Sequence, residues 1–225
     1  MRISIRRPWP TTPEQAVALQ DELRPLVDPV NPRPPDFRTV AGLDSAYADS
    51  GAVAAAVVVL DCATAESVDS VVVHGRTEFP YVPGLLAFRE LPTTVAALEK
   101  LSTTPDLLIC DGQGLAHPRR FGLACHLGVL TGIPTIGVAK TVWGEYTEPG
   151  PERGAATDLV LDGEVVGRAL RTRAGVKPVF VSVGHRIDLD TACAQVLALT
   201  PKYRIPETTR RADQLCRRAL KEAAA

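Results

Sequence analysis

The most informative stretch of the sequence is Leu107-Leu-Ile-Cys-Asp-Gly-Gln-Gly-Leu-Ala-His-Pro-Arg-Arg-Phe-Gly122. Its first four residues are uncharged and predict a buried strand, so Asp111 is the first charge at the strand's carboxyl end. Open α/β sheets place ligands at this edge, and the glycines that follow allow a sharp turn. An aspartate that only caps a turn is the alternative. The neighbouring His117, Arg119 and Arg120 favour a site that handles phosphate.

Elements on either side of this stretch define a fold class. A helix from Phe121 to Leu130 separates this strand from another at Thr135 to Val138, which is the alternation of parallel βαβ units. Upstream, short polar connections join three strands in a predicted antiparallel meander: Arg38 to Tyr47, Val53 to Leu60 and Val68 to Phe79. The sequence therefore predicts an α/β fold with a ribonuclease H-like mixed sheet, antiparallel meander plus parallel strands, flanked by helices.

Helix signals appear near the start and the middle of the chain. Thr12-Pro13-Glu14-Gln15 is a capping box with proline at the first helical position, and Pro25 is expected to end or kink that helix. Five prolines from Pro25 to Pro35 indicate an extended connector. A helix from Leu85 to Leu101 is expected to kink or restart at Pro92. The remaining predicted elements are a hairpin turned by Asp162-Gly163, one strand and two helices: Leu159 to Asp162, Val165 to Arg171, Val179 to Val183, Leu189 to Leu199 and Glu207 to Ala223.

Composition limits the class of protein. With 225 residues, 45% of them apolar, the chain can bury a full core, and we expect a single domain over residues 1–225. No run approaches the ~18 to 20 apolar residues of a membrane span, and the first residues lack the apolar core of a secretory signal. A cytoplasmic protein is expected. Five scattered cysteines without a CxxC pair support neither a disulfide framework nor a zinc site.

Charge is nearly balanced, at a net −1, which weighs against a general polyanion binder. Local basic patches remain compatible with this balance. Each basic cluster is equally well explained as a solvated face: Arg168, Arg171, Arg173, Lys177 and Arg186 in one segment, and Arg210, Arg211, Arg217, Arg218 and Lys221 in another.

Two aspartates occupy positions that a solvated surface does not explain. Asp44 lies within an otherwise apolar strand, where a carboxylate is costly unless it is paired or bound to a cation. Asp111 ends a strand that is expected to lie beside the first one, so the two carboxylates could meet at one point.

Glu90 and Asp213 are candidates to join them from helices, although Glu90 could instead pair with Arg89 and Asp213 with Arg217. Carboxylates that converge without cysteine or histidine form an oxygen-only site. Such a site suits Mg²⁺ or Mn²⁺ and not Zn²⁺, which is the chemistry of metal-assisted phosphodiester hydrolysis.

Taken together, the motifs resemble the endonuclease V family, the deoxyinosine 3′ endonucleases. The matching blocks occur in order along most of the chain: Ala41-Gly-Leu-Asp-Ser-Ala-Tyr47, Pro80-Tyr-Val-Pro-Gly-Leu-Leu-Ala-Phe-Arg-Glu90, Asp111-Gly-Gln-Gly-Leu-Ala-His-Pro-Arg-Arg-Phe-Gly122, Gly137-Val-Ala-Lys140, Ser182-Val-Gly-His185 and Tyr203-Arg-Ile-Pro-Glu-Thr-Thr-Arg-Arg-Ala-Asp213. The resemblance implies a DNA repair endonuclease that recognises deoxyinosine and hydrolyses the second phosphodiester bond 3′ to it. The products would carry 3′-hydroxyl and 5′-phosphate ends, and Mg²⁺ would be the cofactor, with Mn²⁺ able to substitute.

The resemblance also implies roles for individual residues. Asp44, Glu90 and Asp111 match the family's metal-binding acids, and Asp213 matches a fourth position that is not always acidic. Tyr81 matches the wedge that separates the strands where the lesion base is turned out. Its alternative role is that of an interfacial tyrosine held between two prolines.

Several further residues are candidates for DNA contact. Lys140 ends an apolar strand, where it could contact the scissile phosphate or remain a sheet-edge lysine. His117, Arg119 and Arg120 are candidates for binding the DNA backbone. Gly84 and Gly112 are expected to wall a pocket for the flipped base, because a side chain there would fill it. Ser182 and His185 match family positions without an assigned role, and His126 is expected to be a packed histidine.

Rival functions stay open at this point. A junction resolvase or excision nuclease of the same architecture would share the acids but lack the wedge between Pro80 and Pro83. An inosine-specific ribonuclease would share the whole site, because nothing in the sequence identifies a contact to a 2′-hydroxyl. A metal-free binding module would have no need of a buried Asp44. We expect a monomer that binds deoxyinosine-containing DNA and no membrane.

Overall fold

The structure is a computed structural model that describes residue 3 and residues 8–30 and 36–223. Within these residues, nine strands form one sheet: β1 Thr39–Tyr47, β2 Ala52–Asp61, β3 Ser67–Arg76, β4 Leu107–Cys110, β5 Thr135–Ala139, β6 Glu145–Tyr146, β7 Ala156–Leu161, β8 Glu164–Leu170 and β9 Val179–His185. The helices are α1 Pro13–Leu23, α2 Leu86–Glu99, α3 Leu123–Thr131, α4 Leu189–Ala198 and α5 Glu207–Glu222. Among them, no helix is long and apolar enough to cross a membrane.

The sheet has the strand order β3-β2-β1-β4-β5-β9-β8-β7-β6. Strands β1, β4 and β5 run parallel at its centre, and all the other pairings are antiparallel. Because successive residues of a strand face opposite sides, Val40 packs in the core that includes α4 and α5, while Ala41 packs in the core that includes α2. This arrangement confirms the mixed sheet predicted from the sequence, with the meander β1–β3 and with β4 beside β1.

Local signals account for most element ends. Thr12 caps α1 through a bond from the Gln15 backbone N–H to its hydroxyl, and the helix ends before Pro25 as expected. The turn between β7 and β8 places Asp162 and Gly163 at φ of 53° and 80°, which is the geometry of a tight hairpin turn. In the connector predicted from Pro25 to Pro35, residues 31–35 lie outside the described part.

One predicted strand end was wrong, one predicted helix restart is absent, and one short strand was not predicted. Helix α2 runs unbroken through Pro92, because proline removes only one N–H and the neighbouring Leu91 is fully buried on the sheet. Strand β3 ends at Arg76, since Phe79 leaves the sheet to pack its ring 5.6 Å from that of Phe88. The two-residue strand β6 has no sequence signal of its own.

Candidate active site

Three charged side chains lie at the edge where the central parallel strands end. Leu43 of β1 pairs with Cys110 of β4, so the next residues, Asp44 and Asp111, are neighbours across a strand spacing of about 4.8 Å. Lys140 directly follows β5 and donates a hydrogen bond from Nζ to the Asp111 carboxylate. The expected meeting of Asp44 and Asp111 on adjacent strands is therefore confirmed.

Glu90 approaches this edge from the second turn of α2. Together with Asp44 it lines a cavity of only about 10 Å³ beneath the edge. Its neighbour Arg89 turns elsewhere: the guanidinium lies 4.8 Å from the centre of the Tyr47 ring and contacts the Phe79 carbonyl at 3.5 Å. Glu90 thus belongs to the same cluster as the two aspartates.

Burial and mutual repulsion destabilise the charges of this cluster. Burial raises the pKa of Asp44 to about 7, and the negative charge of Asp111 adds to the effect. Burial likewise raises the pKa of Glu90 to about 8, with Asp44 as the next contributor. Burial, followed by the charge of Glu90, also raises the pKa of Tyr47, whose buried hydroxyl makes no well-formed hydrogen bond in the described part of the chain. The raised values mean that Asp44 and Glu90 keep their protons more readily than solvated carboxyl groups do.

Asp213 pairs with Arg217 and lies near the two aspartates of the sheet. Its carboxylate accepts a 2.5 Å bond from Nε of Arg217, one turn along α5, as the pairing alternative predicted. Its charge also contributes to the raised pKa of Asp44, which places it near the same edge. We use the name acidic edge for Asp44, Glu90, Asp111, Asp213 and Lys140.

The acidic edge is an open arrangement. In the part of the chain that the structure describes, no three His, Cys, Asp or Glu side chains are positioned to enclose a metal ion. Asp111 directs one oxygen to Lys140, while Asp213 directs one to Arg217. The donors nevertheless suit a hard cation, because they are carboxyl oxygens with a buried hydroxyl nearby at Tyr47, and a cation would favour the charged forms that burial and mutual repulsion disfavour.

A cleft of about 550 Å³ joins the acidic edge to the loop before α2. Asp111 and Lys140 line it on the sheet side, and Tyr81 lines it on the loop side with 68% of its surface exposed. Gly84 and Gly112 also line it, as predicted for the base pocket. Asp111 and Lys140 of the acidic edge therefore share this cleft with Tyr81 and the two glycines, whereas Asp44 and Glu90 line the separate small cavity.

Backbone conformation and packing add a second reason for the two glycines. Gly84 has a φ of 80°, and a Cβ there would come within 3.0 Å of Nη2 of Arg119. A Cβ at Gly112 would come within 3.0 Å of the Leu123 side chain. The positive φ of Gly84 disfavours any side chain there, and an added Cβ at either position would stand tight against a neighbouring side chain, so backbone conformation and packing favour these glycines in addition to any need for pocket space.

The Gly84 carbonyl is held by three side chains. It accepts hydrogen bonds from Nε2 of Gln20 at 3.1 Å and Nη2 of Arg119 at 2.8 Å, and it lies 3.0 Å from Nε2 of His117. Arg119 also donates to Oε1 of Gln20 at 2.6 Å. These four residues, Gln20, Gly84, His117 and Arg119, are called the Gly84 anchor below.

The Gly84 anchor changes the interpretation of the basic residues predicted to bind DNA. Burial, together with the charge of Arg119, lowers the pKa of His117 to about 4, so the imidazole is neutral near pH 7. Arg120 contacts Glu164 at 3.1 Å, Asp162 at 3.4 Å and the Leu161 carbonyl at 2.7 Å. All three basic residues are engaged within the protein, and a phosphate would have to compete for them.

Known proteins match this chain over nearly its whole length. The model of the Endonuclease V family matches residues 21–214. An Endonuclease V of Nocardia farcinica is 72% identical over 215 residues, covering 95% of each chain. The chain belongs to the endonuclease V family. It is therefore a member of a family of nucleases.

Solved endonuclease V structures have the same fold. The enzyme of Streptomyces avermitilis is 62% identical, with a TM-score of 0.92 over 98% of both chains. Human ENDOV is 33% identical, with a TM-score of 0.87 over 95% of this chain and all of that one. An endonuclease V of Ciona intestinalis, solved with a 23mer DNA containing an inosine followed by a ribo-adenosine, is 30% identical with a TM-score of 0.85, over 94% of this chain and 99% of that one.

Ser182, His185 and His126 have structural contacts. Ser182 accepts a 2.8 Å bond from the Gly114 backbone N–H and so fixes the glycine loop after β4. Nδ1 of His185 accepts a 3.1 Å bond from the Asp28 backbone N–H. His126 is buried, with its ring centre 5.2 Å from that of Phe88, which confirms the expected packed histidine.

Two residues of the endonuclease V cleft were not singled out from the sequence. Gln20 is buried at the centre of the Gly84 anchor. The sequence signal for it is a polar residue on the otherwise apolar face of α1 that carries Ala16 and Leu23. Trp143 lines the cleft with 39% of its surface exposed, and its signal was a rare aromatic three residues after Lys140.

Proposed function

We propose that the chain cuts DNA at deoxyinosine, hydrolysing the second phosphodiester bond 3′ to the lesion and leaving 3′-hydroxyl and 5′-phosphate ends. One observation carries the proposal: a single cleft connects exposed Tyr81 with Asp111 and Lys140. A base-separating aromatic and a hydrolytic edge are then available to one DNA strand. The inosine-containing DNA bound to the Ciona relative supports the choice of lesion.

Asp44, Asp111 and Glu90 would hold Mg²⁺, with Mn²⁺ able to substitute, because they supply carboxyl oxygens whose mutual repulsion a cation would relieve. The bound ion would supply activation of the attacking water and neutralisation of charge at phosphorus. Asp213, on α5, would hold a water beside Asp44 instead of completing the ligand set.

Lys140 would carry the second part of the chemistry. The charge and hydrogen bond of Asp111 raise its pKa against the opposing effect of burial, so the ammonium stays protonated. With half of its side chain exposed at the cleft, it can reach a phosphate oxygen and stabilise the charge that develops there. Asp111 orients the ammonium in the absence of DNA.

Tyr81 would act in recognition. The ring is exposed between Pro80 and Pro83, so it can fill the space left by a base that turns into the cleft. The Gly84 anchor fixes the backbone three residues later. A rigid loop of this kind lowers the ordering cost of binding.

A cleavage assay tests this proposal. Labelled duplexes with one deoxyinosine, a four-way junction or neither are incubated with the protein and Mg²⁺, and a matched strand carries inosine as a ribonucleotide. We expect one cut, two bonds 3′ to deoxyinosine, and none in the unmodified duplex. Cutting of the junction alone would support a resolvase, and cutting of the ribonucleotide strand alone would support an inosine-specific ribonuclease. Binding without any cut would support a metal-free module.

A further inference from the structure

Trp143 is an exposed aromatic whose role is not explained by packing. It is one of two tryptophans in the chain, and the other, Trp9, packs against the apolar clusters beneath α2. Trp143 lines the same cleft as Tyr81, Asp111 and Lys140. Within the described residues, its ring stacks on no other aromatic side chain and on no cation. Tryptophan is enriched at binding surfaces, where its ring offers a large apolar face to a partner.

The loop that carries Trp143 is fixed at both ends. Gln113 donates a 3.2 Å bond from Nε2 to the Thr141 carbonyl, and Val142 packs into the apolar cluster beneath β7 and β8. Gly144 follows at a φ of 97°, and a Cβ there would come within 2.3 Å of the Val160 carbonyl oxygen. These contacts restrain the backbone on both sides of Trp143, whose side chain lines the cleft together with that of Val142.

The position of this ring suits a nucleobase. Trp143 lies three residues after Lys140, the cation at the hydrolytic edge, whereas Tyr81 lines the cleft from the opposite loop. Aromatic rings stack on bases of any identity, because every base has a π-face. We propose that Trp143 stacks on the base of a nucleotide that flanks the scissile phosphate, as a second aromatic contact separate from Tyr81. The inference rests on the proposed function.

The stacking can be observed without measuring turnover. In the Trp9→Phe variant, Trp143 is the sole tryptophan, so its emission reports on its own surroundings. Deoxyinosine duplexes carry 2-aminopurine at either position flanking the scissile phosphate, or ten nucleotides away as a control. We expect binding to quench Trp143 emission and to change the 2-aminopurine signal at a flanking position but not at the distant one. The flanking signal should vanish in Trp9→Phe/Trp143→Ala. Unchanged Trp143 emission, or an equal response at all positions, would overturn the proposal.

Cleavage kinetics give an independent readout. Trp143→Ala should raise KM for the deoxyinosine duplex about tenfold and leave kcat within about twofold, whereas Trp143→Phe should restore KM because it keeps a ring. Val165→Ala, which removes an exposed apolar side chain from β8 outside the cleft, is the control. If KM is unchanged in Trp143→Ala while the wild type still cuts, the stacking contact is overturned and the proposed function stands. Absence of any cut by the wild type would overturn the proposed function itself.

Discussion

The acidic edge and the Gly84 anchor face the same cleft, but their polar groups are satisfied to very different degrees. The Gly84 carbonyl has three side-chain nitrogens within 2.8 to 3.1 Å, from Gln20, His117 and Arg119. The Arg119 guanidinium also donates to Gln20, so it has two acceptors within the protein. At the acidic edge, burial and neighbouring acids raise the pKa of Asp44 to about 7 and that of Glu90 to about 8. The Gly84 anchor holds the backbone in one conformation. At the acidic edge, the charged forms of the acids are unfavourable, and a cation can relieve their repulsion.

Removing an acid should have the largest effect on activity. Asp111→Ala and Asp44→Ala are each expected to lower kcat at least about 10³-fold, since the metal-dependent stabilisation of charge is worth several kcal/mol. Asp213→Ala should lose less, because its carboxylate already pairs with Arg217 and can act through water. Single-turnover cleavage of a deoxyinosine duplex measures all three. An equal loss in Asp213→Ala would make Asp213 a direct ligand or an essential base.

Breaking the Gly84 anchor should reduce the stability of the fold more than it reduces DNA recognition. Arg119→Ala removes two hydrogen bonds from a charged donor and is expected to cost about 2 kcal/mol in the free energy of unfolding. Arg218→Ala is the control, because the Arg218 side chain is 69% exposed and 3.9 Å from Glu222, a contact worth about 0.5 kcal/mol or less. Urea unfolding compares them. If Arg119→Ala instead kept full stability while its binding of undamaged DNA fell, Arg119 would be a phosphate ligand as first predicted.

Tyr81→Ala should weaken recognition while leaving both regions intact. We expect cleavage of the deoxyinosine duplex to fall about tenfold in kcat/KM, because the unpaired gap is no longer filled. The deficit should shrink on single-stranded deoxyinosine DNA, where no partner stack has to be broken. Equal deficits on the two substrates would indicate a general stacking contact, and no deficit on either would remove Tyr81 from recognition.

The pH dependence of stability should distinguish the acidic edge from the rest of the fold. Because its folded pKa is raised from 3.8 to about 7, Asp44 makes the metal-free protein less stable as pH rises through that range. Asp44→Asn stays neutral and should be more stable than the wild type above pH 7, by on the order of 1 kcal/mol after solvent screening. Below pH 4 the difference should disappear. Thermal unfolding in chelator at pH 4 and pH 9 measures both limits.

The sequence predicted the sheet better than it predicted the site. Apolar runs such as Leu107–Cys110 and Val179–Val183 specify buried strands on their own, and the position of Asp111 follows from the direction of the first of them. The partners of Arg119 and Arg120 could not be predicted in this way. Their signal, charge beside a glycine loop, is the same whether the guanidinium faces a phosphate or a distant carbonyl. Long-range contacts such as Gln20 with Gly84, 64 residues apart, leave no local pattern.

The most direct measurement is the effect of Mg²⁺ on the thermal stability of the wild type and of Asp44→Asn at pH 8. A cation that binds the folded acidic edge stabilises it by mass action and relieves the repulsion between Asp44 and Asp111. We predict that the Tm of the wild type rises with Mg²⁺ concentration, and that Asp44→Asn begins higher and gains little. Arg218→Ala should respond like the wild type. Equal gains in wild type and Asp44→Asn would contradict the account, because the ion would then bind somewhere other than the acidic edge.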